Sequence, residues 1–201
     1  MESFLGFDLE TFILTAGYIG LFAIVFAESG LFLGFFLPGD SLIFTAGFLA
    51  SQGYFNITIL AAIFLAGAVL GDSFGYVFGK RTGSKLFNKE DSWLFKKSHL
   101  EKARILYETH GGKTIILARF MPIVRTFAPI LAGVGMMKYS VFLLYNIIGG
   151  VLWAVGLSFA GYLLGSVVPN VDRYMIPIVA GIIILSILPP IIHVIRNKEY
   201  K

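Results

Sequence analysis

The chain has 201 residues, 57% of them apolar and 14% charged, with a formal net charge of +4 and a mean hydropathy of +0.81. A soluble domain of this size carries roughly a quarter charged residues, so a surface that faces water all round is excluded and one membrane domain over residues 1–201 is expected. Cysteine is absent, which removes disulfides, thiol nucleophiles and thiolate metal sites.

The elements follow in chain order. The opening MESFLGFDLE lacks a basic segment and a small-residue cleavage site, so no cleavable signal peptide is expected. The apolar stretch 12–50 is interrupted by Glu28, Gly30, Gly34, Pro38, Gly39, Asp40 and Gly47. Residues 57–78 form the clearest span, with Asp72 as its single charge. At about 1.5 Å per residue it matches the roughly 30 Å hydrocarbon core. Residues 84–110 mix Lys, Glu, Leu and Phe and read as a surface helix or helical loop. A second interrupted stretch, 114–137, contains Arg119, Pro122, Arg125, Pro129, Gly133 and Gly135. Spans over 139–164 and about 175–195 complete the chain, the last kinked by Pro177, Pro189 and Pro190.

Charge placement orients these elements. Nine of the sixteen basic residues lie between Lys80 and Lys113, against four acids, and Arg196, Lys198 and Lys201 close the chain. The positive-inside rule puts the central loop and the C-terminus in the cytoplasm. That rule also accounts for the net positive charge, so no nucleic-acid partner is implied. The side of the N-terminus stays open, since Glu2, Asp8 and Glu10 suit the outside while a full first span would reverse it.

Non-helical backbone at membrane depth survives only where protein or a watery cavity satisfies it. The two interrupted stretches therefore read as re-entrant hairpins broken at Pro38, Gly39, Pro122 and Pro129, with two kinked ordinary helices as the alternative. Self-similarity favours the hairpins. Glu28, Phe36 and Pro38 match Arg119, Phe127 and Pro129 at one offset of 91, and Ala46-Gly47 matches Ala132-Gly133 at 86. The spans that follow end in GDSFGYVFG (71–79) and GLSFAGYLLG (156–165). Lys80 and Arg81 end the first span inside, whereas Lys138 starts the second inside, so the copies run in opposite directions. That is the inverted repeat of secondary transporters: repeat 1 over about 10–83, loop about 84–113, repeat 2 about 114–165, C-terminal span about 175–195.

A charge at the bilayer centre costs about 2.5–3.5 kcal/mol on insertion scales. Glu28, Asp40, Arg119 and Arg125 therefore need a shared explanation, and mutual neutralisation across the repeats is the simplest. A buried lock between hairpins is one reading. A working site is preferred, because buried ion pairs contribute little net stability. Arginine donates two parallel hydrogen bonds to phosphate oxygens, so Arg119 and Arg125 are the candidate phosphate-binding residues. Burial favours a neutral carboxyl and a nearby arginine favours the charged one. Glu28 and Asp40 are thus candidates to alternate between a proton and an arginine. Asp72 is either a further proton site or a cap within an interrupted helix. Asn146 reads as interhelical glue or as a substrate contact, and Ser73 and Ser158 as helix-backbone hydrogen bonds. His99, His110 and His193 are scattered, so no metal site is indicated, and there is no GxxxxGK[ST] loop for ATP.

Glu28 with FLPGD (36–40), GDSFGYVFGKRTG (71–83) and ARFMPIVRTFAPILAG (118–133) closely resemble the bacterial DedA family, whose domain is shared with eukaryotic lipid scramblases. The resemblance covers nearly the whole chain. It implies transport of phospholipids or of the undecaprenyl phosphate carrier across the cytoplasmic membrane, dependent on the proton gradient. The family's acidic pair falls on Glu28 and Asp40 and its arginine pair on Arg119 and Arg125.

The expectation is an all-α membrane protein, an inverted repeat of re-entrant helical hairpin plus transmembrane helix with a C-terminal transmembrane helix. It is expected to act as a transporter of undecaprenyl phosphate rather than as an enzyme, without a cofactor, its partners being an anionic lipid, protons and the bilayer. A phosphatidylethanolamine flippase or scramblase is the alternative within transport, and a structural or regulatory membrane protein the alternative outside it. The oligomeric state is open, a homo-oligomer included.

Overall fold

Long apolar runs dictate the long helices of this chain, while glycine and proline dictate its breaks. The computed structural model describes residues 9–31, 39–87 and 111–167, and all of its regular elements are helical. In chain order they are α1 (Leu9–Gly30), α2 (Gly39–Ser51), α3 (Ile57–Phe87), α4 (Lys113–Ala118), α5 (Pro122–Val134), α6 (Tyr139–Gly150), a π-helical segment (Val151–Val155) and α7 (Gly156–Val167). Among the described residues, three stretches are long and apolar enough to cross a membrane, Glu10–Gly30, Ile57–Thr82 and Tyr139–Val167. The described part is therefore all-α, and the chain is a multi-pass membrane protein, as expected.

Several boundaries differ from the sequence reading. α1 is long enough to cross by itself. Its helical geometry is interrupted at Gly17 (φ 58°, ψ −168°), a backbone region essentially confined to glycine. α3 runs past the expected end at Phe78 to Phe87, because leaving hydrocarbon does not end a helix, and Lys80 and Arg81 are good helix formers. The third span runs without a break from α6 through the π-helical segment into α7. Pro38, residues 88–110 of the basic loop and the span at about 175–195 lie outside the described residues.

Two compact units emerge. Of the described residues, one unit combines 9–22, 39–64 and 154–167, and the other combines 23–31, 65–87 and 111–153. In the first, α2 packs along α7. Thirteen residues of helix reach about 20 Å, too short for a roughly 30 Å core. Burial of α2 compensates: Gly39 and every residue from Ser41 to Ala50 are buried. The backbones meet directly. Gly47 lies on the Ser158 carbonyl and Gly161 on the Phe44 carbonyl, and a Cβ at either glycine would overlap that oxygen. Asn56 caps α3, its Oδ1 accepting from the Thr58 and Ile59 N–H groups at 2.9 and 3.2 Å. The Asn56 N–H itself donates to the Tyr18 hydroxyl at 2.8 Å, tying α1 to that turn.

The second unit repeats the same contact with other helices. Gly133 of α5 lies on the Tyr76 carbonyl of α3, and Gly79 of α3 lies on the Ile130 carbonyl of α5. On all four helices the glycine stands three residues after the residue that offers its carbonyl. Lipid tails give helices no hydrophobic reason to associate, so close backbone approach through small residues supplies the attraction. A buried cluster of Tyr76, Ile115, Ala132 and Phe142 then fixes α4, α5 and α6 on α3. Tyr76 stacks on Phe142 with ring centroids 4.7 Å apart and donates its hydroxyl to the Met137 carbonyl.

α5 ends in a Schellman cap. The Met136 N–H reaches the Gly133 carbonyl at 3.2 Å and the Met137 N–H reaches the Ala132 carbonyl at 3.1 Å. Met136 adopts φ 59° there, in the position glycine normally fills.

Candidate functional site

Glycines again decide where the charges meet. The end of α1 crosses α3 at Gly30 and Gly71; a Cβ on Gly71 would come within 2.6 Å of the Phe26 carbonyl oxygen. This crossing brings the turn carrying Glu28 against the turn carrying Asp72. α4 stops after six residues, and Arg119 is its C-cap. Met121, extended at φ −117° and ψ 105°, leads into Pro122 as the first residue of α5, a position that suits proline because its missing N–H would have no helical acceptor. Arg125 follows within the first turns of α5. Pro129, expected as a break, instead lies inside α5, which continues to Val134. Gly39 opens α2.

Two ion pairs result. Arg125 Nη2 donates to Glu28 Oε1, with side-chain exposures of 11% and 1%. Arg119 Nη2 donates to Asp72 Oδ2 and to Asn146 Oδ1, and lies 3.4 Å from the Ala68 carbonyl. Asn146 Nδ2 donates to the Val69 carbonyl at 3.1 Å, which fixes the amide with its oxygen toward the guanidinium. Arg119 Nε is buried and has no hydrogen-bond partner among the described residues. Two guanidiniums thus face two carboxylates, and the cluster is neutral while all four are charged. Burial makes each pair strongly dependent on its partner, since removing one member of such a pair typically costs about 3–5 kcal/mol.

The third span supplies the floor. Asn146, Gly149, Gly150 and Trp153 stand at i, i+3, i+4 and i+7, one face of a helix. A Cβ on Gly149 would meet Arg119 Cδ at 2.8 Å, and one on Gly150 would lie 3.9 Å from Arg119 Cζ. The glycine pair therefore leaves the room that the guanidinium occupies. Trp153, 4% exposed, places its indole under both arginines, with Arg119 Cζ 5.9 Å and Arg125 Cζ 4.9 Å from the ring centroid.

Of the residues proposed from sequence, Glu28, Asp72, Arg119 and Arg125 come together in this one unit. Arg119 was expected to pair with Glu28 or Asp40, but its carboxylate partner is Asp72. Asp72 is no cap, because α3 runs through it unbroken. Asp40 belongs to the other unit, in the first turn of α2. Asn146 is interhelical glue and an arginine ligand at once. Ser73 and Ser158 donate to the Val69 and Val155 carbonyls, as expected. Trp153 was missed altogether, although its seven-residue spacing from Asn146 was a readable signal.

Comparison with known proteins agrees with this architecture. Residues 37–163 match the VTT domain. The chain is 48% identical to protein DedA of Escherichia coli K12 over 90% of its own length and 84% of that protein. It is 43% identical to a membrane protein of Mycobacterium leprae, over 91% of this chain and 82% of the relative. Identity to the inner membrane protein YghB of Escherichia coli K12 is 34%, over 87% and 80% of the two chains. No solved structure matches the chain. A VTT-domain match over most of the chain, together with this identity to full-length relatives, shows that the chain belongs to the VTT-domain family of membrane proteins, the family of the bacterial DedA proteins.

Proposed function

We propose that this protein moves a phosphate-bearing lipid between the leaflets of the bacterial cytoplasmic membrane, with undecaprenyl phosphate as the favoured substrate and a proton moving with it. The observation that carries this reading is the pairing of Glu28 with Arg125 beside Asp72 and Arg119 in a buried, neutral cluster. A structural brace needs no such charges, because close packing through small residues joins membrane helices without burying ions. An arriving phosphate can take the place of a carboxylate on an arginine, since the planar fork bonds either anion in the same way.

The two arginines divide the work. Arg119, with Asp72, Asn146 and the Ala68 carbonyl around it, keeps its place. Arg125, with Glu28 and a partly exposed side chain, is the one that exchanges. When phosphate takes Arg125, the released Glu28 carboxylate is left buried, and a proton neutralises it more cheaply than any movement into water. One proton bound for each phosphate taken up is the coupling. The recurrence of the glycine contact, short helix on long span in both units, supports an inverted repeat in which α2 and α4–α5 are the re-entrant segments. The basic loop and tail support a cytoplasmic C-terminus under the positive-inside rule.

Reconstituted vesicles test this directly. Movement of undecaprenyl phosphate between leaflets is followed with and without an imposed pH difference, and phosphatidylethanolamine is followed alongside. Gradient-dependent movement of the polyprenyl phosphate, lost in Glu28→Gln, is the expected result. Movement of phosphatidylethanolamine alone selects the phospholipid reading. Failure to move either lipid, or a chemically altered product, overturns transport.

A further inference from the structure

The geometry points to Trp153 as a positioning residue that makes one recognition unit of Arg119 and Arg125. This rests on the phosphate reading above and adds to it the group that sets the distance between the two forks. Two cations in one buried place repel each other, and their carboxylates lie on different helices, α1 and α3, so the ion pairs alone do not fix the guanidiniums relative to each other. The indole does, because Arg125 Cζ and Arg119 Cζ both lie over the same ring, at 4.9 and 5.9 Å from its centroid. The negative face of an aromatic ring attracts both cations. Trp153 is itself buried and therefore held.

Ring and anion do not compete. A guanidinium offers its flat face to an aromatic ring and its N–H edge to an oxyanion. Arg125 can therefore exchange the Glu28 carboxylate for a phosphate at its edge while its face stays on the indole. The ring becomes the fixed point of the exchange. The local backbone fits this role, since Trp153 sits at the middle of the π-helical segment Val151–Val155, and such single-turn insertions within helices occur frequently at functional sites. The widened turn comes directly after Gly149 and Gly150, which admit the Arg119 side chain.

The chain holds two tryptophans, Trp93 and Trp153, so Trp93→Phe leaves Trp153 as its sole indole emitter. Farnesyl phosphate in detergent is the probe, and farnesol is its uncharged control. Farnesyl phosphate is expected to change Trp153 emission saturably, with farnesol silent and Arg125→Lys abolishing the response. By calorimetry, Trp153→Phe is expected to weaken farnesyl phosphate binding by about threefold and Trp153→Leu by about tenfold or more, since phenyl keeps part of the cation attraction and leucine keeps none. Equal affinities for the phenylalanine and leucine variants, or calorimetric binding with silent emission, overturn the role of Trp153 while leaving the phosphate site standing. Should Trp153→Leu fail to fold, the emission of the Trp93→Phe protein decides alone. No calorimetric binding of farnesyl phosphate to the unaltered chain overturns the phosphate reading, and the role of Trp153 with it.

Discussion

Arg125 donates to the Glu28 carboxylate across 97 residues of chain, the carboxylate fully buried and the arginine partly exposed. The sign of this pair's energy is open to measurement. Glu28→Gln and Arg125→Gln each leave one buried charge without its counter-ion, and each is expected to cost about 3–5 kcal/mol. The double variant removes both charges and should be clearly more stable than the sum of the singles allows. Thermal unfolding in detergent, arranged as a double-mutant cycle, reads this coupling. Strict additivity contradicts the pairing.

The lysine variants should separate the two arginines. Arg119→Lys cannot serve Asp72, Asn146 and the Ala68 carbonyl from one planar fork, so both melting temperature and transport should fall. Arg125→Lys keeps its charge opposite Glu28 and should fold, yet lose most lipid movement, because a point charge does not reproduce bidentate recognition. Full transport by Arg125→Lys would remove the phosphate fork from the mechanism.

Alanine at the backbone crossings should act alike in both units. Gly47→Ala and Gly133→Ala each drive a methyl group into a facing carbonyl, an overpacking expected to cost about 1–3 kcal/mol. Gly156, with nothing within 4 Å of its Cβ position, is the control. Gly156→Ala should be neutral or stabilising by up to about 1 kcal/mol through helix propensity. Equal melting temperatures for all three variants would show that the seams carry no load.

Met136→Gly should stabilise the protein. Met136 is 70% exposed, so little packing is lost. Its left-handed backbone carries a penalty of about 1–2 kcal/mol that glycine avoids. Part of that gain is cancelled by the greater freedom of an unfolded glycine, leaving about 0.5–1 kcal/mol. A rise in melting temperature with transport unchanged is the expected outcome.

A chain without cysteine allows a clean test of topology. Single cysteines at Gln52 and Val168 should label from outside the cell, and one at Ser98 only from inside. Labelling of positions 98 and 168 from the same side is incompatible with an inverted repeat.

The long helices were legible because an apolar run of some twenty residues has few other ways to fold, and the charge cluster because buried charges must find partners. What sequence could not choose was the partner. Glu28, Asp40 and Asp72 are interchangeable acids on paper, and only the packing of α4 and α6 on α3 sets Asp72 against Arg119. Pro129 misled because a proline in an apolar stretch reads as a break, whereas α5 carries it within an unbroken helix. The glycine contacts were overlooked because Gly71 and Gly79 look like ordinary membrane composition until the atoms facing them are known. Trp153 went unread because its meaning depends on two arginines supplied by other helices.

The glycine seams also bear on how the chain is made. α2 leaves the ribosome long before α7, the surface it will lie against, has been synthesised. α3 likewise presents Gly79 to a helix that the later half of the chain brings. During that interval a short, polar-bearing segment with Ser41 and Thr45 has no finished seat. Each half of the polypeptide is thus born missing its own counterpart, and insertion has to finish before either short helix settles. A nascent chain stalled after Phe87 should accordingly leave α2 open to proteases, chaperones or a second nascent copy.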